Sequence, residues 1–386
     1  MLLGAVAGFG SRSGTIRCVR GAWITFDAEG DTNDRTDRLL TAVHQLLPAA
    51  APRDAITDQA FIWRELLRAW GFESEIVAEH LHPDLIAPVH RLDRAGVRLV
   101  NEGGLVLHYA VWSATAETAL RARGPLALYY HNITPGHLLR DFNPAAAELC
   151  DRGRDSLSLF RGRIDVPMAA SSFSAVELRD AGLADPKVVP LMLDLPPKVP
   201  RREPKREPVV LTVGRIVPNK RLEDVIKSFA LYQQHRAPDA SLVIVGSDAG
   251  FEKYRAALGV LVARIGAERV IFTGPISKDD RDAWYDQGDV YLSMSAHEGF
   301  CLPLIEALAH GVPVVARDAG AMPETLGGAG VVVDGTDLPL VAEALHELAS
   351  SSSTRSALFD AADARLDELR PDRLALRMRA ALAPLL

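Results

Sequence analysis

The sequence predicts two α/β domains, each a doubly wound parallel sheet, facing one another across a cleft. Three observations lead there. Apolar runs of strand length alternate with helical patterns from about Leu39 onward, which implies crossover connections and mostly parallel strands. The alternation breaks once, at PPKVPRREPKREP, whose repeated prolines and charges make a semi-stiff, solvated connector. The 386 residues also suffice for two domains of ~100–200 residues, each burying its own core.

The elements follow in order. Residues 1–38 show no clear periodicity and are expected to form a peripheral or poorly ordered extension. In the first domain, 39–195, LLTAVHQLL reads as a strand and FIWRELLRAWG as a helix with Phe61, Ile62, Leu66, Leu67 and Trp70 apolar. EIVAE, GLVLHYAV, LALYYHN and VPMAASS are further strands. The linker is 196–208. In the second domain, 209–370, the strands are PVVLTVG, SLVIVG, RVIFTG, VYLSMS, PVVA and GVVVD. Between them lie the helices RLEDVIKSFALYQQHRAP, FEKYRAALGVLVARIGA, DRDAWYDQG and LPLIEALAHG. A helix-like segment, 371–386, closes the chain. Ligands of such sheets bind outside the carboxyl ends of the strands, so two facing domains point to a site between them.

Composition narrows the function. A net charge of -7 argues against general nucleic-acid binding, which needs a basic footprint. Cys18, Cys150 and Cys301 are few and widely spaced, which fits a reducing interior and gives neither a disulfide framework nor a metal pair. No apolar run approaches the ~20 residues of a membrane span, and the N-terminus lacks the basic lead of a signal peptide. The expected location is the cytoplasm.

The chemistry concentrates in SAHEGFCLPLIEALAHGVPVVA, Ser295 to Ala316. Pro303 suits the first turn of a helix, where its missing N–H is not needed. Gly299 to Leu302 then form a strand-to-helix turn with N–H groups directed at the cleft, a setting that attracts phosphate. Glu298 stands before the turn and can accept hydrogen bonds from sugar hydroxyls. Glu306, one turn inside, offers two oxygens to the vicinal hydroxyls of a ribose. The plainer reading is that both glutamates complement the helix dipole. Half a domain earlier, in VGRIVPNKRLEDV, Gly214 and Arg215 follow a strand and Lys220 precedes a helix, cations placed to neutralise a diphosphate. Asp280-Arg281-Asp282 has the form of a metal-binding Asp-x-Asp, but Ser277 and Asp280 read as a capping box, and no metal is expected.

GRIVPNKR followed by SAHEGFCLPLIEALAHGVPVVA resembles the donor-binding domain of family 4 glycosyltransferases, enzymes of the two-domain GT-B fold. Glu298 and Glu306 reproduce that family's two glutamates separated by seven residues. The resemblance covers most of the chain from about Leu39 and is strongest from Val209 to Asp334. It implies retaining transfer of a hexose from a GDP- or UDP-linked donor to a glycan, lipid-linked or small-molecule acceptor, without an obligatory metal or other cofactor. Bacterial polysaccharide assembly is the setting it suggests. By position, Arg215 and Lys220 would hold the diphosphate, and Glu298 the donor sugar with help from N–H groups at Phe300, Cys301 and Leu302. Glu306 would hold the ribose, and the base would sit near Gly274 to Ile276. His131, at the end of LALYYHN, resembles the family's active-site histidine, while His108 reads as a structural or acceptor-side residue. In the loop PAAAPRDAITDQAF, many members carry adjacent glycines where this chain has Ala51-Pro52-Arg53-Asp54. Asp54 and Thr57 are either acceptor-side residues or helix caps. The segment 371–386 would return to the first domain.

Three rival readings share the architecture: a nucleotide-sugar 2-epimerase, a sugar phosphorylase, and a nucleotide-sugar-binding protein without turnover. The connector residues Lys198, Arg201, Arg202, Lys205 and Arg206 suggest either weak peripheral contact with anionic lipid at the inner membrane face or simply a solvated hinge interrupted by Glu203 and Glu207.

Overall fold

The structure, a computed structural model, describes residues 12–17, 23–28, 42–196, 199 and 203–386. Two parallel sheets dominate it. The first has seven strands in the order β5-β4-β3-β6-β7-β8-β9: β3 (Val43–Ala50), β4 (Ile76–Leu81), β5 (His90–Arg91), β6 (Gly104–Tyr109), β7 (Leu126–Tyr130), β8 (Val166–Ala169) and β9 (Lys187–Val188). The second has six in the order β12-β11-β10-β13-β14-β15: β10 (Val209–Val213), β11 (Ser241–Val245), β12 (Val270–Gly274), β13 (Val290–Ser293), β14 (Val314–Arg317) and β15 (Val331–Val333). In both, the chain starts in the middle, winds out one way and then the other. This is the doubly wound pattern, and it leaves a crevice where the direction reverses. Continuous apolar strands such as LVLHY and VVLTV have helices on both faces to bury them, and Leu105, Val106, Leu107, Val210 and Leu211 are fully enclosed.

The structure differs from the sequence reading at three places. The first long strand begins at Val43 and runs through Pro48 to Ala50. Because β6 pairs with β3 only over Val43–Leu46, Pro48 has a neighbouring strand on one side alone, where a residue without an N–H is tolerated. The short edges β5 and β9, of two residues each, are below the length at which alternation is visible. Within residues 1–38, for which the sequence predicts no element, β1 (Arg12–Arg17) and β2 (Trp23–Ala28) form an antiparallel hairpin with Ile16 opposite Ile24. The aromatic and β-branched residues of TIR and WITF supply the strand preference. The rest of that segment, with Cys18, lies outside the described residues.

The last helix, Pro371–Leu382, buries Leu374, Met378 and Leu382 at a four-residue spacing. It lies against β8 and sets the Arg379 guanidinium 5.7 Å from the Trp70 ring centre. In the connector, Lys205 is bound to the second domain through the Gln287 carbonyl at 2.8 Å and the buried Asp289 carboxylate at 3.3 Å. Lys198, Arg201 and Arg202 lie outside the described residues.

Candidate active site

The crevice of the second sheet opens between the carboxyl ends of β10 and β13. Gly214 leaves β10 with a φ of 151°, which only glycine adopts freely, and turns the chain so that Arg215 and Lys220 border the crevice. After β13, Ser295, Glu298 and Cys301 line the same small pocket. Lys220 and Glu298 meet in an ion pair whose side chains are 21% and 11% exposed. Burial works against the Lys220 ammonium, but the Glu298 carboxylate outweighs it and the pKa is raised. Lys220 therefore stays cationic. Arg215 is exposed beside it.

Cys301 caps the helix Leu302–Ala309 with a φ of 69°, and Pro303 lies in its first turn. The Phe300 carbonyl accepts a hydrogen bond from Thr325 Oγ1 at 2.5 Å. Among the described residues, the N–H groups of Gly299, Phe300 and Cys301 have no acceptor. The Cys301 N–H is one of the orphan donors that make a helix start an anion site, and those of Gly299 and Phe300 are free amides of the turn before it.

A cleft of about 510 Å³ continues from this pocket between the domains. Arg53, Asp54 and Asp58 line it from the first domain, and Arg215, Arg281 and Glu306 from the second. Both carboxylate oxygens of Glu306 are held: Tyr285 donates its hydroxyl to Oε2 at 2.9 Å, and Arg281 approaches Oε1 at 3.1 Å. Sequence reasoning missed both partners. Their four-residue spacing on the helix Lys278–Gln287 puts them on one face, a pattern that the Asp-x-Asp form obscured. Ser277 caps that helix, accepting the Asp280 N–H at 3.0 Å and donating to its carboxylate at 2.6 Å. Among the described residues, no three His, Cys, Asp or Glu side chains converge as a metal site.

In the first domain, His131 follows β7 directly and His108 lies inside β6. Nδ1 of His108 is 2.9 Å from Nε2 of His131, so the two histidines, separate in the sequence reading, are one unit. Burial pushes the His108 pKa down to about 3. Burial, then the neighbouring His108, hold His131 well below the usual value. Asn132 takes a φ of 66°. Its amide donates to Ser174 Oγ at 3.1 Å, and its oxygen meets Nε2 of His297 in the second domain.

Gly299 sits against this corner. A β-carbon there would lie 2.4 Å from Cβ of Asn132 and 3.0 Å from the His131 carbonyl. Its own carbonyl accepts from Ser171 Oγ at 2.6 Å and Ser174 Oγ at 3.3 Å. The glycine that the sequence places in an anion-binding turn is thus also where the domains touch.

Asp54 caps the helix Ala55–Ala69, its Oδ2 accepting the Thr57 N–H at 2.9 Å and the Thr57 hydroxyl at 2.8 Å. Asp54 also lines the cleft, whereas Thr57 is buried beneath it. In the preceding loop Arg53 holds a φ of 63° and donates Nη1 to the Ile276 carbonyl at 3.0 Å. The loop without glycines therefore carries a strained arginine that reaches the other domain. Gly274 ends β12, three places from β13 in the sheet. It is not among the residues bordering the pocket or the cleft.

Two facing doubly wound sheets with this crevice are the GT-B glycosyltransferase fold. Residues 207–351 match the family of glycosyl transferases group 1, and through that segment the chain is related to these enzymes. It is 33% identical over 161 residues to a GDP-mannose-dependent alpha-(1-6)-phosphatidylinositol monomannoside mannosyltransferase of Mycolicibacterium smegmatis, covering 39% of this chain and 41% of that protein. It is 35% identical over 162 residues to a D-inositol 3-phosphate glycosyltransferase of Salinispora tropica, covering 40% of this chain and 34% of that protein. The chain thus spans about two fifths of the length of the curated relatives it matches. Among solved structures, the Anabaena protein HepE in complex with UDP-glucose aligns with a TM-score of 0.69 at 18% identity, covering 89% of this chain and 100% of that one. WaaG, a glycosyltransferase involved in lipopolysaccharide biosynthesis, aligns with a TM-score of 0.64 at 14% identity, covering 88% and 99%.

Proposed function

We propose that the chain is a retaining glycosyltransferase of family 4 that moves a hexose from a GDP- or UDP-linked donor to an acceptor hydroxyl, without an obligatory metal. The carrying observation is the convergence of Arg215, the Lys220–Glu298 pair and the helix-capping Cys301 on one crevice, beside a turn whose N–H groups have no acceptor among the described residues. Cations and fixed N–H groups act where negative charge develops as the diphosphate leaves, usually the largest catalytic contribution. Glu298 then meets donor-sugar hydroxyls, Glu306 the ribose, and His131 the reacting sugar from the first domain. The leaving phosphate helps to deprotonate the acceptor as it attacks from the same face. The two glutamates are not the acid and nucleophile of a hydrolase.

The matched relatives are mannosyltransferases and inositol-phosphate glycosyltransferases, which supports a lipid-linked or inositol-type acceptor and glycolipid or polysaccharide assembly at the cytoplasmic membrane face. Among the described residues no helix is long and apolar enough to cross a membrane. The test is calorimetric titration with uridine and guanosine diphosphates, in EDTA and then in magnesium, followed by donor turnover with candidate acceptors. One nucleotide binding in EDTA, with consumption of its sugar donor only when acceptor is added, is the expected result. Binding of neither nucleotide overturns the donor-site reading, and a strict need for magnesium overturns the metal-free one.

A further inference from the structure

A line of polar contacts runs behind His131. Gln45, fully buried in β3, donates its amide nitrogen to the Ala60 carbonyl at 2.9 Å. Its amide oxygen is 2.9 Å from Nε2 of His108, and Nδ1 of His108 is 2.9 Å from Nε2 of His131. Each contact permits one assignment. The Ala60 carbonyl can only accept, so the nitrogen of Gln45 must face it and the oxygen must face His108. That oxygen also can only accept, so His108 carries its proton on Nε2. His108 has no exposed surface and packs between Trp63 and Tyr129, with ring centres 5.5 and 5.9 Å away. Such a site favours the neutral ring. Its Nδ1 is then a lone pair, and the hydrogen between the two histidines belongs to Nε2 of His131. Among the described residues, Nδ1 of His131 has no hydrogen-bond partner, and His131 is itself partly exposed.

We propose that Gln45 and His108 are positioning residues that hold His131 as its Nε2–H tautomer and leave Nδ1 as a hydrogen-bond acceptor for a substrate hydroxyl. The identity of that hydroxyl, on the donor sugar or the acceptor, rests on the glycosyl-transfer reading; the tautomer does not. In this arrangement His131 is not a proton donor to the ligand. It orients a hydroxyl by accepting from it and presents electron density, without charge, beside a sugar that becomes cationic. The arrangement also gives a reason for a buried glutamine in an interior strand of the sheet, where an apolar side chain would otherwise fit.

The test uses the full chain labelled with 15N in histidine rings, with long-range nitrogen–proton correlation spectra at pH 7.5 and His131→Asn to assign the signal. Protonated Nε2 and unprotonated Nδ1 are expected for both His108 and His131. A protonated Nδ1 on His131, or an imidazolium, overturns the proposal. Gln45→Leu is expected to average the two tautomers and to lower kcat by roughly tenfold, the loss of one positioned hydrogen bond. KM for the donor should move by no more than about threefold, since the donor's nucleotide contacts lie in the other domain. Gln45→Glu, protonated in its buried site, restores both contacts, the tautomer and the rate. An unchanged His131 spectrum in Gln45→Leu removes Gln45 from the assignment. The expected spectrum together with no consumption of either nucleotide sugar leaves the tautomer standing and sinks the glycosyl-transfer reading.

Discussion

Lys220→Ala separates the donor-site reading from a merely structural one, because the two roles of Lys220 are read by different measurements. As a structural residue, Lys220 neutralises Glu298. At an effective dielectric near 20, two unit charges ~4 Å apart attract by about 4 kcal/mol. Removing the lysine leaves the Glu298 carboxylate, 11% exposed, without its counter-charge, which costs about 3–5 kcal/mol of stability and lowers Tm by roughly ten degrees. As a catalytic residue, Lys220 places a positive charge on the leaving diphosphate. Removing one such group costs about 10²–10³ in kcat, or about 2.7–4 kcal/mol. The two effects are of similar size, so the deciding number is the turnover of protein that is still folded below its lowered Tm. Initial rates of nucleoside diphosphate release and thermal unfolding, measured on one preparation, give both numbers. Affinity should fall for the diphosphate and hold for the bare nucleoside. A folded Lys220→Ala protein that keeps its rate within tenfold refutes the reasoning. The pH dependence supplies a control. The Lys220 pKa is raised from 10.5, so the pair's contribution is fully present below that value and is lost as pH climbs through the folded one.

Three further outcomes are expected. Gly299→Ala puts a methyl 2.4 Å from Cβ of Asn132; it should leave each sheet folded but lower turnover more than tenfold, and native rates in that variant would show that the domains do not need this contact. Glu324 accepts the Ser172 and Phe173 N–H groups at 2.7 and 3.2 Å from across the domain boundary, so Glu324→Gln should speed hydrogen exchange at those two amides by several fold, a modest effect because the site is exposed. Burial, then the charge of Arg154, push His297 down to about 4. The unfolded chain therefore binds a proton there from pH 6.5 downward while the folded chain does not, and stability should fall as pH drops from 6.5 towards 4. His297→Asn should flatten that slope of the urea midpoint, and an unaltered slope would mean that His297 is protonated in the fold.

Much of this was legible because local chemistry decided it. Alternating strands and helices gave both sheets, the Pro303 helix start gave the turn before it, and Ser277 with Asp280 gave a cap that the structure keeps, with the Asp280 carboxylate on the Ser277 hydroxyl rather than on its backbone N–H. The hairpin within residues 1–38 was not legible because its strands lack alternation over a useful length. Tyr285 and Arg281 were hidden for another reason. Their target, Glu306, is more than twenty residues away, and nothing in a helix's own spacing says which neighbour it will face. Gln45 was read as part of an apolar strand, since one polar residue in LLTAVHQLL carries no information about a histidine 63 residues on.

The contacts between domains were the least legible, and they change what the turn at Gly299 means. A trans peptide sets its carbonyl and its N–H on opposite sides of one plane, and among the described residues no peptide is cis. Ser171 and Ser174 of the first domain hold the Gly299 carbonyl. The same peptide's N–H, on Phe300, is therefore directed away from the first domain. The orphan donor of the anion turn thus takes its orientation partly from serines that never touch the crevice. Sequence spacing showed a glycine before a helix and read it by the N–H side alone. The carbonyl side, fixed from more than 120 residues away, couples the approach of the domains to the aim of that N–H.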